Sequence, residues 1–202
     1  MIVNLKTNSS KLWLNKFPWK KKSDHKYSRG KIIIFGSQPN MTGSTILSSE
    51  AALRVGTGSV KIICSKKTLP IYSLKFPSAL KEEINSLNLL KKLIIKERDS
   101  IFLIGPGAGV NELTRKKTKL ILKNSKYAII DADALTSFKN NPKELYSLLD
   151  KNKIITPHIK EFHAIFPTIN KKISNYEKIV KALKKKINIA SKVMGEELKA
   201  WI

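Results

Sequence analysis

Five short apolar runs constrain what this chain can fold into. Lys31–Phe35, Ser59–Cys64, Ile101–Ile104, Tyr127–Ile130 and Lys153–Ile155 lack strict apolar-polar alternation, as strands buried on both faces do. Between them, residues 42–55, 82–96, 111–123 and 142–149 carry helical spacing. Thr42 and Asn111 are placed as N-caps, and Pro142 suits the first turn of its helix. Strand and helix in alternation predict an α/β fold with parallel strands joined by right-handed crossovers.

The C-terminal ends of such strands face one crevice, where open α/β sheets bind ligands. Gly36-Ser37 and Thr42-Gly43-Ser44 follow the first run, and Gly105-Pro106-Gly107-Ala108-Gly109 follows the third. Asp131-Ala132-Asp133-Ala134-Leu135 follows the fourth, and Thr156-Pro157-His158, with Glu161 one turn on, follows the fifth. Glycine turns that open helices suit anionic ligands. The turn at 105–109 is half of a dinucleotide fingerprint, with Val110 in the third glycine's place, so a simple packing turn stays open as a reading. One of Asp131 and Asp133 is expected to cap the next helix, and two carboxylates at a strand end could also hold Mg²⁺ through water or bond a ribose. His158 reads as a helix-start residue or a ligand contact. His163, beside Phe162 and Phe166, reads as structural, and His25, in a lysine-rich loop, carries no signal.

With 202 residues, 42% hydrophobic and 27% charged, the chain suits one globular domain. Its 39 basic and 15 acidic residues give +24, which raises nucleic acid as a partner. Only Arg29, Arg54, Arg98 and Arg115 are arginines, the residue that bidentate recognition favours. Lysine doublets fall in helical patterns as solvated faces, so nucleic acid is not the expected partner, whereas an anionic small molecule suits the basic surface. Cys64, the one cysteine, sits in an apolar run as a core thiol and suits a cytoplasmic setting. No run approaches the roughly 20 apolar residues that span a bilayer. Trp13, Phe17 and Trp19 are expected to lay an N-terminal arm, 1–24, across the domain.

Taken in order, Lys31-Ile32-Ile33-Ile34-Phe35-Gly36-Ser37, Thr42-Gly43-Ser44, Ala51-Ala52-Leu53-Arg54-Val55-Gly56-Thr57-Gly58, Ile104-Gly105-Pro106-Gly107-Ala108-Gly109, Asp131-Ala132-Asp133-Ala134-Leu135 and Thr156-Pro157-His158 with Glu161-Phe162 resemble the dehydratase family that repairs hydrated NADH and NADPH. The resemblance covers about residues 25–170 and implies a ribokinase-like three-layer α/β/α fold with a mainly parallel sheet. It implies a lyase that uses ADP or ATP, with Mg²⁺, to remove water from (S)-NAD(P)H hydrate. Ser44, Gly107, Gly109 and His158 would line the hydrate pocket, and Asp131 and Asp133 would lie near the phosphates. Where the family usually has alanine, this chain has Ser44.

The family pattern continues with a Lys-Gly strand, an adenine-binding hairpin and a Gly-x-Gly-Asp turn that supplies the general base. No Gly-x-Gly-Asp occurs in the 202 residues. The expected organisation is therefore an incomplete domain at 25–189, missing its C-terminal elements, and an atypical tail at 190–202, with no catalytic aspartate of its own. Two functional readings follow: the dehydratase, or a catalytically inactive dinucleotide-binding remnant or subunit of a split enzyme. A nucleic-acid-binding protein and a sugar or vitamin kinase of the same fold are the outside alternatives. A separate epimerase and a homo-oligomer are the expected protein partners.

Overall fold

The apolar runs become neighbouring parallel strands because each has two faces to bury. A computed structural model describes residues 9–174, together with 177, 178, 181, 188 and 189. Its strands are β1 (Lys31–Phe35), β2 (Ser59–Cys64), β3 (Leu80–Glu83), β4 (Ile101–Ile104), β5 (Tyr127–Ile130), β6 (Lys153–Ile155) and β7 (Asn188–Ile189). They form one sheet in the order β3-β2-β1-β4-β5-β6-β7, every pair parallel. Helices α1 (Thr42–Arg54), α2 (Leu69–Lys75), α3 (Leu87–Lys96), α4 (Glu112–Asn124), α5 (Ala132–Thr136), α6 (Pro142–Tyr146) and α7 (Ile159–Ile165) make the connections.

Side chains sort by strand period. Ile33 and Phe35 join Phe102, Ile104, Ala128, Ile130 and Ile155 beneath α3 to α7, while Ile34 joins Val60, Ile62 and Cys64 beneath α1 and α2. The result is three layers, α/β/α. After β3 the chain crosses back to place β4 against the free side of β1, so the strand order reverses between β1 and β4. Open α/β sheets hold their ligands at such a reversal, outside the C-terminal strand ends.

Charged residues at the sheet are paired. Lys153 is 1% exposed, and its Nζ donates to the carbonyls of Ser125 (2.8 Å) and Lys126 (2.9 Å) and to Asp150 (3.3 Å). Lys31 and Lys61 both reach Glu97 at the end of α3, at 3.0 and 3.5 Å. Cys64 is buried as expected, and burial pushes its thiol pKa up.

Several local expectations are corrected. Glu82 and Glu83 belong to β3, not to a helix; α3 begins at Leu87, after Ser86, whose Oγ accepts from Leu89 N–H. An edge strand tolerates such charges because one side stays in water. The helix expected over 142–149 ends at Tyr146. Asn111 caps α4 through Thr114 N–H, but Thr42 is not a cap: a 3₁₀ turn, Pro39–Met41, runs straight into α1 and leaves no extended residue to cap it. Nor do aromatic rings lay the arm on the domain. Phe17 packs against Trp13 and Trp19, with centroids 6.0 and 4.6 Å away, and both tryptophans stay exposed. Arg29 does the tying, donating to the carbonyls of Pro18 and Gly56, each at 2.8 Å. The tail at 190–202 and the first eight residues of the arm lie outside the described residues.

Candidate functional site

The loop after β1 and the loop after β4 meet at the reversal and lock together. Ser37 lies one residue beyond Gly36, and its N–H donates to Thr45 Oγ1 at 2.9 Å. Ser37 Oγ sits 2.6 Å from both Thr45 Oγ1 and Ser44 Oγ. Both serine hydroxyls reach the Pro106 carbonyl at 3.1 Å, and Ser44 Oγ also reaches the Met41 carbonyl at 3.0 Å. Gln38 N–H donates to the Gly107 carbonyl at 2.8 Å, completing the seam. The first turn of α1 supplies Ser44 and Thr45, which is why a helix must start directly behind the glycine-rich loop.

Glycine is required in the facing turn. Gly105, Gly107 and Gly109 hold φ of +132°, +66° and +83°, where a side chain is strained. A Cβ on Gly107 would lie 2.8 Å from Ser44 Oγ and 2.9 Å from Ser37 Cβ; one on Gly105 would lie 1.7 Å from the Asp131 carbonyl oxygen. Glycine there lets the loops after β1, β4 and β5 pack backbone against backbone at the strand ends.

The two aspartates have separate tasks. Asp133 Oδ2 accepts from Gly109 N–H at 2.8 Å and so fixes the glycine turn from the β5 side. Asp131 stands at the N-cap position of α5 and is buried, but its side chain makes no cap bond. Ala132, between them, holds φ of +46°, a strained non-glycine residue beside the candidate site.

His158 lies at the end of β6, two strands beyond β4 and so roughly 10 Å from the glycine turn at ordinary strand spacing. It is the N-cap of α7 in a capping box: Nδ1 accepts from the N–H groups of Lys160 (3.1 Å) and Glu161 (3.4 Å), while Glu161 Oε2 accepts from His158 N–H (2.8 Å). Nε2 is 3.1 Å from Glu161 Oε1, so the ring carries its proton on Nε2 and half of the side chain still faces solvent. Thr156, just before it, has a buried hydroxyl without a partner among the described residues. His163 is structural in position, and burial, then the charges of Lys178 and Lys171, pushes its pKa down.

A cavity of about 360 Å³ adjoins the glycine turn, between the start of α4 and the loop joining α5 to α6. Val110, Asn111, Arg115, Thr136 and Lys139 are among its lining residues. Arg115 is held there by Glu112 (2.9 Å) and Glu144 (2.6 Å). Hydrogen bonding from Lys119, with the charges of Lys119 and Arg115, holds the Glu144 carboxyl below its ordinary range against the opposing effect of burial. Among the described residues no three His, Cys, Asp or Glu side chains gather as a metal site.

Ser44 and Gly107 are thus brought into contact, Gly109 is joined to Asp133, Gly105 packs on Asp131, and His158 stands apart across the crevice. Sequence reasoning placed Ser37 at the strand end without its bonds, and missed Thr45 and Gln38 as cradle residues. Their partnership runs between a strand end, a helix turn and a loop almost seventy positions away, and no spacing rule encodes that.

The three-layer α/β/α sheet, with its strand-order reversal between β1 and β4, has a ribokinase-like fold. Solved structures agree on the fold. A ribokinase-like superfamily protein from Enterococcus faecalis superposes with a TM-score of 0.72 at 21% identity over 86% of this chain and 61% of that one. An ADP/ATP-dependent NAD(P)H-hydrate dehydratase from Bacillus subtilis, co-crystallised with ATP/Mg²⁺, gives 0.71 at 22% identity over 95% and 68%. The profile of the NAD(P)H-hydrate dehydratase family matches residues 31–197, and the chain belongs to that family. It is similar to the ADP-dependent (S)-NAD(P)H-hydrate dehydratase of Staphylococcus aureus, 30% identical over 151 residues, which are 73% of this chain and 53% of that protein. A bifunctional NAD(P)H-hydrate repair enzyme of Dictyoglomus turgidum is 32% identical over 165 residues, 75% of this chain and 32% of that protein. The chain therefore spans about half, or less, of the length of these relatives. No helix among the described residues is long and apolar enough to cross a membrane.

Proposed function

We propose that this chain binds the (S)-hydrate of NADH or NADPH at the β1/β4 crevice, for its nucleotide-dependent dehydration back to the reduced cofactor. The observation that carries the reading is the glycine turn held against the Ser37–Ser44–Thr45 hydroxyls, which sets backbone and hydroxyl groups together at the ligand position of the sheet. Ser44, Gly107 and Gly109 line one wall and His158 the other. With Nδ1 given to the helix and Nε2 to Glu161, His158 orients ligand by its exposed ring face rather than by taking a proton. The orphaned Thr156 hydroxyl offers a further polar contact.

ADP or ATP supplies the phosphoryl group that turns the hydrate's hydroxyl into a leaving group. Relatives are named as ADP-dependent and ATP-dependent enzymes. Magnesium needs only one or two carboxylates when phosphates and water complete its shell, and Asp131 and Asp133 are the carboxylates at hand; the ion would neutralise phosphate charge. The Gly-x-Gly-Asp base is not among the 202 residues, and this favours a second reading, binding without turnover by this chain alone. The two separate in one assay: incubate the chain with the (S)-hydrate of NADPH, Mg²⁺ and ADP or ATP, and follow the return of reduced-nicotinamide absorbance. Recovery above the no-protein rate supports the dehydratase. Saturable binding without recovery supports the binding module, and absence of both contradicts the proposal.

A further inference from the structure

A second cavity, about 240 Å³ in volume, opens between α3 and α4 over the ends of β1 and β2 and shares no residue with the cradle. Phe35, Ile63 and Leu90 are buried residues of its wall, and Leu113, 52% exposed, lies at its mouth. One charged side chain lines it, Lys117, one turn beyond Leu113 on α4. Two other cations of α4, Arg115 and Lys119, both pair with Glu144. Lys117 has no hydrogen-bond or ion-pair partner among the described residues. Burial pushes its pKa down, as expected of an ammonium without a counter-ion. Leu87, the first residue of the ten-residue α3, lines the same cavity, so the positive end of that helix also faces it, with no acidic residue in its first turn.

The structure thus sets a half-buried, unpaired cation against a mainly apolar chamber with no carboxylate in its lining. A neutral apolar molecule would fill the walls and leave Lys117 unpaired, while an inorganic anion would pair with Lys117 and leave the walls empty. We propose that this cavity binds a small monocarboxylate with an apolar body, its carboxylate on Lys117 and its body on Phe35, Ile63 and Leu90. A cavity near 150 Å³ takes up benzene, so 240 Å³ accommodates a six-membered ring with its carboxylate.

Benzoate and its neutral isostere benzamide, titrated into the full chain and followed by ligand-observed NMR, test the proposal. Benzoate is expected to bind saturably and at least about tenfold tighter than benzamide, as loss of a charge-assisted hydrogen bond implies. Lys117→Met, whose side chain suits the apolar wall, is expected to erase that preference. Leu113→Glu, at an exposed position one turn from Lys117, supplies an internal carboxylate and is expected to weaken benzoate alone. Equal affinity for the two probes, no saturable binding of benzoate, or a preference that survives Lys117→Met would each overturn it.

Discussion

Gly107 concentrates the argument at the scale of a single residue. Its left-handed backbone and its contacts with Ser44 and Ser37 leave no space for a methyl group. Gly107→Ala is expected to cost about 2 kcal/mol, or roughly 4–8 °C in a domain of this size, and to weaken dinucleotide binding by pushing the two loops apart. A melting curve that matches the wild type would show that the seam is not tight. Glu97 makes a second case. Burial raises its carboxyl pKa, but hydrogen bonds and charge from Lys31 and Lys61 outweigh burial and hold it below the ordinary 4.5. A carboxyl depressed by folding stabilises the fold above its unfolded pKa, and that contribution is lost as pH falls through the folded value. Glu97→Gln is therefore expected to cost on the order of 1 kcal/mol at neutral pH. The gap should close once the pH falls below the depressed value, as urea unfolding at several pH values would reveal.

Among the elements, the buried strands were legible and the marginal ones were not. The five apolar runs became β1, β2, β4, β5 and β6 with the same boundaries, because burial on both faces writes a continuous apolar signal. β3, Leu-Lys-Glu-Glu, carries none: half its surroundings are solvent, and only pairing with β2 makes it a strand. β7 has two residues, too few for any period. At the site, glycines and aspartates could be read at strand ends, but not that Asp133 would brace Gly109, nor that Ser37 would bridge two loops. Those bonds depend on which strands become neighbours, which local pattern does not specify. The lower end of the sheet offers its own test. Lys153→Met would leave the buried carbonyl of Ser125 and the part-buried one of Lys126 without their shared donor. That is expected to cost about 3 kcal/mol, as denaturant unfolding would measure. A loss under about 0.5 kcal/mol would mean that water replaces the ammonium.

For the whole molecule, topology does the selecting. A strand order that reverses between β1 and β4 brings two glycine-bearing loops together at the strand ends. The strand ends from β1 to β6 span roughly 15 Å at ordinary strand spacing, room for an extended dinucleotide. On the side of the sheet away from α4 to α7, Ile129 and Ile154 are only half-buried and Ile101 is exposed, so the described residues cover that face incompletely. Family membership and fold are settled by the match over residues 31–197 and by the superpositions, while catalysis by this chain rests on the proposal.

The most direct test of that proposal is an equilibrium titration of the (S)-hydrate of NADPH into the wild-type chain and into Gly107→Ala, each first shown to be folded by its melting transition. One saturable site is expected in the wild type, and at least about tenfold weaker binding in the variant. Equal affinities for the two proteins, or no binding to the wild type, would contradict it.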